Sequence, residues 1–330
     1  MFGGCAASPY SMDAWVDRGA EVVWPQPPEP ARIAYLGTIG SGADLGRRVG
    51  LGKWLMKAVF GDDPSSMVRP AAVAKNKTGI LVVADPGIPT VHFVDLRSGE
   101  YSRLPARLAS RLASPVGVAI DDAGRVYVAD SLRAKIFVFD GDRRLIAEWG
   151  EGILSRPTGI ALDPASDRVY VVDTVEDKVV VFDVAGQRLA DFGRRGVGRG
   201  EFNAPTHVTA TADGKVIVSD SLNFRVQTFT REGKPLSSFG RPGHAAGNLT
   251  RPKGVAVDSS GRYYVVDAAF DNVQIFDPGG RLLLAFGGPG SGPGGMALPA
   301  GLCVDSNDRI WVADSYNRRI QVFELLRGDD

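Results

Sequence analysis

A six-fold internal repeat is the feature that most constrains how this chain can fold. Each copy opens at a proline, forms a short apolar strand and then a second strand ending in aspartate, and closes with a hairpin and a third strand. The opening prolines are Pro70, Pro115, Pro157, Pro205, Pro252 and Pro299. The closing aspartates are Asp85, Asp130, Asp173, Asp220, Asp267 and Asp314. A β-unit of this length cannot bury both faces alone, so the repeat predicts six propeller blades in one ring.

A fourth strand, ending in an aromatic residue and a glycine, follows most copies. These strands are predicted at residues 145–150, 189–193, 236–240 and 282–287. No such strand is evident after copy one, and none follows copy six. Residues 33–40 have the same character and precede the first copy. We therefore expect them to form the outer strand of blade six and close the ring, which removes the free edges of an open sheet.

The repeated pattern PxGVAxD…GRxYVxDSxNxRIQxF resembles the NHL repeat over about residues 69–323. The resemblance implies an all-β, six-bladed β-propeller. Propellers of the NHL family bind proteins, RNA or peptides, and some relatives are enzymes, so the family implies an architecture rather than one activity. The segment WPQPPEPARIAYLGTI is also similar to the leading segment of bacterial NHL-repeat lipoproteins.

The periodicity predicts one closed domain over residues 33–330, although 330 residues would suggest two domains by length alone. Residues 1–32 are interpreted as a leader or tether, extended where it is rich in proline. The insertion at residues 41–68 carries apolar residues at helical spacing, which predicts a short helix before blade one. That helix either packs across one face of the propeller or, because it is basic, contacts an anionic membrane surface.

Cys5 follows small residues in an arrangement similar to a lipobox. Only four residues precede it, too few for the charged and apolar regions of a secretory signal. Two interpretations stay open, a chance match or lipidation of Cys5. The short leader favours chance, and the resemblance to lipoproteins makes the two interpretations about equal. Lipidation would make the protein a membrane-anchored or periplasmic component of the cell envelope, and the alternative is a cytoplasmic protein. No stretch approaches the roughly 18 apolar residues of a transmembrane helix.

The repeated aspartates have two interpretations. A ring of carboxylates could bind calcium or do acid–base chemistry. A position that is occupied in every blade is instead typical of a structural residue, which would accept backbone N–H groups in the hairpin. A basic residue five positions later would neutralise the charge in four of the blades: Lys135, Lys178, Arg225 and Arg319.

Catalytic and cofactor patterns are sparse. The three histidines, His92, His207 and His244, occupy three different positions of the repeat. Peptidyl-hydroxyglycine lyases, which have a related propeller, bind zinc through histidines directly after the blade-opening prolines, and none of those positions is histidine here. Residues 290–295 fit GxGxxG, but the prolines that follow leave no helix for a phosphate site. We therefore expect no cofactor, no metal and no catalytic residue.

A candidate ligand site lies beside the opening prolines. Residues flanking these prolines start the innermost strands and should ring one mouth of the channel, and arginine precedes the proline in blades one, three and five. The predicted ligand-binding residues are Arg69, Arg156, Arg251, Lys253, Thr158, Thr206 and His207. Arginine suits a carboxylate or phosphate. The alternative is that each arginine pairs with a local acid or with water.

These observations predict a non-enzymatic binding or scaffold propeller that holds a protein, peptide or small anionic ligand at one face of the ring. The first alternative is a propeller lyase or hydrolase with its site at the channel mouth, although the inner strands are mainly apolar. The second is an RNA-binding propeller. The chain has 38 basic and 38 acidic residues, so its net charge supplies no driving force toward nucleic acid, and no nucleic-acid partner is expected.

Overall fold

The computed structural model describes residues 22–45 and 66–326. The described chain begins with two strands, β1 (Val23–Trp24) and β2 (Ile33–Ile39). The next strands are β3 (Ala72–Lys75), β4 (Ile80–Asp85), β5 (Thr90–Asp95) and β6 (Glu100–Arg103) in blade one; β7 (Pro115–Ile120), β8 (Val126–Asp130), β9 (Lys135–Phe139) and β10 (Leu145–Trp149) in blade two; and β11 (Pro157–Leu162), β12 (Arg168–Asp173), β13 (Lys178–Asp183) and β14 (Arg188–Phe192) in blade three.

The second half of the ring repeats this arrangement. Its strands are β15 (Pro205–Ala210), β16 (Lys215–Asp220), β17 (Arg225–Thr230) and β18 (Pro235–Phe239) in blade four; β19 (Pro252–Val257), β20 (Tyr263–Asp267), β21 (Asn272–Phe276) and β22 (Leu282–Gly287) in blade five; and β23 (Leu302–Val304), β24 (Arg309–Asp314) and β25 (Arg319–Leu325) in blade six. Helical structure in the described chain is short: 3₁₀ turns at Gly42–Leu45 and Ser221–Asn223, and α1 (Ala106–Ala109).

Each blade is an antiparallel sheet whose first strand lines a central channel. The first strands contact one another in the order β3, β7, β11, β15, β19, β23 and back to β3, so the ring is closed. The six-bladed, all-β prediction is confirmed. The predicted helix in the insertion falls mostly on residues 46–65, outside the described residues.

Blade six closes as the sequence predicts. Strand β2 pairs antiparallel with β25, with Tyr35 opposite Phe323 and Ile39 opposite Ile320. The N-terminal strand thus supplies the outer strand that the last copy lacks. Pairing a strand from the start of the chain with the last blade ties the ring together through backbone hydrogen bonds between segments far apart in sequence.

The structure corrects the sequence interpretation in two places. Residues 22–32 are not a free tether, because β1 pairs with β2 as a fifth strand and Trp24 packs on Phe286 and Phe323 at centroid distances of 5.9 and 5.8 Å. Blade one also has a fourth strand, β6, which pairs with β5 although it lacks the aromatic-glycine ending. Edge pairing depends on backbone groups, so it leaves little trace in side-chain patterns.

Six hydrophobic clusters lie between neighbouring blades and hold the ring together. The middle strands are continuously apolar because a neighbouring blade covers each face, as in β12, where every residue from Val169 to Asp173 is buried. Aromatic residues that end the outer strands reach the next blade: Trp149 lies 5.7 Å from Phe182, and Phe239 lies 5.0 Å from Tyr263. Blade-to-blade packing of this kind makes each blade depend on its neighbours.

Candidate functional site

The channel has two chemically different mouths. Each first strand begins at the opening proline or two to three residues after it, and it runs toward a turn that carries aspartate in five of the six blades. The two ends of the channel therefore differ in charge. We call the proline end the basic mouth, after Arg69, Arg156, Arg251 and Lys253. We call the opposite end the acidic mouth, after Asp121, Asp122, Asp163, Asp258, Asp305 and Asp308, which line a cavity of ≈ 570 Å³.

The hairpin aspartates fix the backbone of the basic mouth. All six are fully buried. Their carboxylates accept backbone N–H groups just before the first strand: Arg69 N donates to Asp85 Oδ1 at 3.0 Å, Arg156 N to Asp173 Oδ1 at 2.9 Å and Arg251 N to Asp267 Oδ1 at 2.9 Å. The structural interpretation of these aspartates is therefore confirmed. They also set the starting point of each mouth arginine.

The predicted neutralisation of these aspartates is only half right. Arg225 and Arg319 donate to Asp220 and Asp314 at 2.8 Å each. Lys135 instead pairs with Glu151 at 2.9 Å, and Lys178 lies 3.8 Å from Asp191. In blades two and three the buried carboxylate accepts backbone N–H groups instead: those of Ala113 and Ser114 for Asp130, and those of Ser155 and Arg156 for Asp173.

The three arginine side chains of the basic mouth are exposed. Within residues 22–45 and 66–326, none of them forms an ion pair or a side-chain hydrogen bond, so the alternative in which each pairs with a local acid is not found there. Lys253 is half-buried and likewise lacks such a partner in the described chain. Burial lowers the pKa of Lys253, and the charges of Arg251 and Arg69 lower it further. Arg69 and Arg251 therefore lie close enough to Lys253 for their charges to act on it, whereas no interaction within the described residues joins Arg156 to these three.

Both predicted threonines take part in contacts between blades. Thr158 Oγ1 donates to the Thr206 carbonyl at 2.9 Å and lies 2.8 Å from Thr174 Oγ1. Thr206 Oγ1 lies 2.8 Å from Ser221 Oγ. The Thr158 hydroxyl therefore connects two neighbouring first strands, whereas the Thr206 hydroxyl contacts a residue of its own blade. The prediction of both threonines as ligand donors stays untested.

His207 stands where most blades require glycine. A Cβ on the equivalent Gly159 would lie 2.8 Å from the His207 Cα, and one on Gly301 would lie 2.7 Å from the Ala71 carbonyl, because the first strands approach closely there. His207 is half-buried in the channel wall, and its Nδ1 is buried without a hydrogen-bond partner in the described chain. Burial, and then the charge of Lys253, lower its pKa to about 3. The imidazole is therefore neutral at physiological pH.

The channel between the mouths holds a cavity of ≈ 270 Å³. Its wall consists of the backbone and the mainly apolar side chains of the first strands, with His207 and Cys303 among the exceptions. Cys303 is a free thiol, half-buried rather than fully buried, and burial raises its pKa. Such a thiol stays protonated and is a weak nucleophile.

Charges at the acidic mouth are paired. Asp121 pairs with Arg125 at 2.7 Å, Asp163 with Arg231 at 2.6 Å and Asp258 with Arg262 at 2.6 Å. Asp122 pairs with Lys77 at 3.0 Å, and Asp305 with the buried Lys75 at 3.1 Å. Asp308 accepts a hydrogen bond from the Ser259 hydroxyl at 2.7 Å. This end of the channel is built from satisfied ion pairs.

The glycine-rich loop at residues 290–295 is structural, as expected. Arg319 Nη2 donates to the Gly292 and Gly295 carbonyls at 2.9 and 2.7 Å, and Gly294 N donates to Gln321 Oε1 at 3.0 Å. The loop joins β22 to β23 and opens no helix. Its carbonyl groups bind the side chains of blade six.

One buried polar cluster was not among the predictions from the sequence. His92 is fully buried, with Nε2 3.2 Å from Asp85 Oδ2 and Nδ1 2.5 Å from the Tyr101 hydroxyl. The same position of the repeat holds glutamine in blades four to six, and Gln227 and Gln321 donate to their own hairpin aspartates. Aligning the copies at the aspartates would have identified His92 as a substitute for that glutamine.

Among the described residues, no group of three or more His, Cys, Asp or Glu side chains is arranged to hold a metal ion. Residues 22–45 and 66–326 also include no helix that is long and apolar enough to span a membrane.

The fold and the repeat define the class of this protein, a six-bladed β-propeller. The NHL repeat model matches residues 112–139 and 296–323, which contain β7 to β9, β23, β24 and most of β25. The chain therefore carries NHL repeats in a six-bladed β-propeller, as the sequence predicts.

Known structures share the fold at low sequence identity. A streptogramin B lyase is similar with a TM-score of 0.60 and 13% identity, over 79% of this chain and 94% of that one. A structural genomics protein of unknown function from Bacteroides thetaiotaomicron gives a TM-score of 0.64 and 15% identity, over 89% and 76%. Kuenenia stuttgartiensis hydrazine synthase gives 0.58 and 14%, over 82% and 98%. No curated protein matches the sequence.

Proposed function

We propose that this protein is a non-enzymatic binding propeller that holds an anionic ligand, a carboxylate above all, at the basic mouth. The ligand belongs to a protein, a peptide or a small molecule rather than to a nucleic acid. The observation that carries the proposal is the set of mouth cations without a partner in the described chain. Lys253 is half-buried within this set, and the charges of Arg69 and Arg251 act on it.

The electrostatics support an anion at this place. Neighbouring cations repel one another, and the repulsion is greatest where burial reduces solvent screening. A carboxylate between Lys253 and the arginines would relieve that repulsion and accept hydrogen bonds from both kinds of donor. The fixed backbone of each arginine reduces the entropy lost on binding.

A propeller lyase or hydrolase is the second candidate. A streptogramin B lyase shares the fold, and His207 supplies a neutral imidazole in the channel beside Lys253. In this reading His207 would be the general base for a ligand bound at the same mouth. The two readings share the anion site and differ in whether a bound compound is chemically changed.

Thermal unfolding with anions tests the proposed site. Acetate, succinate, citrate and phosphate are titrated against the wild type at constant ionic strength, with chloride as the reference. A ligand at one hundred times its Kd stabilises by about 2.7 kcal/mol, so a rise in Tm with saturation is expected. The double variant Arg156→Ala/Arg251→Ala and the single variant Lys253→Met should lose that rise.

The matched control is Arg194→Ala, an exposed arginine that differs from the mouth arginines because it pairs with an acid, Glu201, at 2.8 Å. It should respond to anions like the wild type. Equal stabilisation of wild type and mouth variants would exclude this site. Mass spectrometry of any stabilising compound after incubation decides between binding and turnover, since only an enzyme would convert it.

Location is a separate proposal based on the sequence. Cys5 lies outside the described residues, and we propose that it is lipidated and anchors the propeller in the cell envelope. Metabolic labelling with an alkyne-bearing fatty acid in a bacterial host should label the wild type and not Cys5→Ser. Absence of label in both proteins would favour the chance match and a cytoplasmic location.

A further inference from the structure

Exposed apolar side chains surround the basic mouth at one repeated position. This position is the second residue after each hairpin aspartate, in the turn between the second and third strands. Four blades place a large apolar residue there: Leu132 is 76% exposed, Val175 59%, Leu222 56% and Tyr316 62%. We call these four residues the apolar ring. Contiguous exposed apolar patches mark protein interaction sites, whereas single exposed apolar residues are common on any surface. These four residues are distinguished by recurring at one position of the repeat, on one face, around the mouth cations.

The turns that carry the ring are fixed to the basic mouth. Leu222 N donates to the Asn203 carbonyl at 3.0 Å, and Tyr316 N donates to the Ala297 carbonyl at 3.1 Å. Asn203 and Ala297 lie two residues before the opening prolines of their blades. The ring therefore stands beside the start of the first strands, one to two strand spacings of about 4.8 Å farther from the axis than the mouth.

The ring has members on both sides of the channel. Blade three is three blades away from blade six in the closed order of first strands, so Val175 and Tyr316 lie on opposite sides of the axis. Between them lies the mouth, whose cations have no acidic partner in the described part of the chain. A ligand that touches both side chains must pass over the mouth.

We propose that the partner at the basic mouth is a protein segment that crosses the channel axis, rests apolar side chains on the apolar ring and inserts one aspartate or glutamate side chain among the mouth cations. The proposal rests on the function proposed above and specifies its ligand. The charge of the mouth requires the acidic group, and the opposed apolar residues place that group in the middle of the segment.

Two other occupants fit the surface less well. A small carboxylate would satisfy the cations and leave the apolar ring exposed. A free chain terminus would bring its carboxylate to the axis but would contact the ring on one side. A segment of nine extended residues spans about 30 Å, enough to reach across the mouth in both directions.

Peptide libraries test the inference with defined probes. The first library holds acetylated and amidated nonapeptides with aspartate at the centre and Leu, Val, Phe, Tyr, Ser or Gly elsewhere. The second is identical except for asparagine at the centre. The third has serine at the centre and a free C-terminal carboxylate. Peptides that immobilised protein retains are identified by mass spectrometry, and their Kd values are measured by fluorescence anisotropy.

Retention of apolar peptides from the aspartate library alone is expected. The double variant Val175→Ser/Tyr316→Ser should weaken the best peptide by about tenfold or more, and Arg156→Ala/Arg251→Ala by a similar factor. The control is Leu189→Ser/Leu236→Ser, which removes comparably exposed residues from the outer strands β14 and β18. The control should keep the wild-type Kd.

The other outcomes overturn the inference in distinct ways. Equal retention from the aspartate and asparagine libraries would show that the protein does not recognise an acidic side chain at the centre of the peptide. Retention from the free-terminus library alone would assign the mouth to a chain end. If acetate or citrate stabilises the protein through the mouth arginines and no peptide is retained, the partner inference fails and the anion site stands. If neither the anions nor the peptides bind, both proposals fail.

Discussion

The two mouths of the channel are formed by the same six first strands, yet they differ in whether their charged side chains have partners within the described chain. At the acidic mouth Asp121, Asp163 and Asp258 each meet an arginine within 2.7 Å. At the basic mouth the side chains of Arg69, Arg156 and Arg251 meet no acid in the described chain. Charges paired within the propeller stabilise it or are neutral to it, whereas unpaired charges on a fixed backbone are available to a ligand.

The difference follows the repeat. Asp121–Arg125 and Asp258–Arg262 are the same pair, four residues apart, in the turn after the first strand of two blades. An ion pair that recurs at the same position in two blades is best explained as part of the blade structure. The residue before the opening proline changes from Arg69 to Ser114 and from Arg251 to Leu298 around the ring. Repeat proteins commonly bind their ligands through positions whose backbone is fixed but whose side chain differs from copy to copy.

The largest predicted effect breaks a pair at the acidic mouth. Asp305 accepts Lys75 Nζ and Trp311 Nε1, each at 3.1 Å, and the Lys75 and Asp305 side chains are only 7% and 2% exposed. Asp305→Ala would leave a buried cation without its partner. We expect a loss of about 3–5 kcal/mol in the free energy of unfolding, measured by urea denaturation.

Arg156→Ala at the other mouth is the matched comparison, with an expected change within about 0.5 kcal/mol because the side chain is exposed and unpaired. A large loss in that variant would mean that the basic mouth is structural. If Asp305→Ala were as stable as the wild type, the ion pair at the acidic mouth would not contribute to stability.

The second effect depends on pH and concerns His207. Its pKa falls from 6.5 in the unfolded chain to about 3 in the fold. Above pH 6.5 both states are neutral there, and as the pH falls toward 3 the unfolded state takes up the proton first, so stability declines. Between pH 7.0 and 4.5 the wild type should lose about 1–2 kcal/mol more than His207→Gln, a range reduced for partial exposure to solvent.

Urea denaturation at the two pH values measures this difference. His244→Gln serves as the control, since His244 is exposed in a loop and should behave like the wild type. Parallel pH profiles for wild type and His207→Gln would indicate that the imidazole is solvated and already protonates within the channel.

The sequence predicts those parts of the structure that repeat. Spacing alone placed β2 in blade six and the arginines at one mouth, because both depend only on register. Strand β1 was missed, since two residues beside prolines carry no period, and Trp24 was assigned to a tether although it packs on Phe286. The pairing of Asp163 with Arg231 was invisible as well, because it joins residues 68 apart across two blades.

The apolar ring could have been read from the sequence. Leu132, Val175, Leu222 and Tyr316 all stand two residues after a hairpin aspartate, and aligning the copies at those aspartates brings them into one column. Their exposure could not be predicted, because an apolar residue in a short turn can fold inward or outward. Burial in three dimensions also sets the neutral state of His207, which a lone histidine in a sequence does not indicate.

The smallest predicted effect is a change in the free energy of unfolding that has opposite signs for a lysine at the basic mouth and a lysine near the acidic mouth. Burial and the charges of Arg251 and Arg69 lower the pKa of Lys253 from its usual 10.5, so at pH 7 the folded state holds a cation that it disfavours. Lys253→Met should therefore raise the free energy of unfolding at pH 7, by about 1 kcal/mol or less because the side chain is only half-buried. As the pH rises through the folded pKa toward 10.5 the wild type loses this penalty, and the gain should shrink.

Lys215, near the acidic mouth, is the paired comparison. Asp213 lies 2.6 Å from its Nζ and raises its pKa, so Lys215→Met should be neutral or slightly destabilising at pH 7. Urea denaturation of both variants at pH 7 and pH 10 measures the two signs. If Lys253→Met were to destabilise the protein at pH 7, the lysine would have a partner within the propeller. The basic mouth would then pair its charges as the acidic mouth does, and the distinction between the two mouths would be lost.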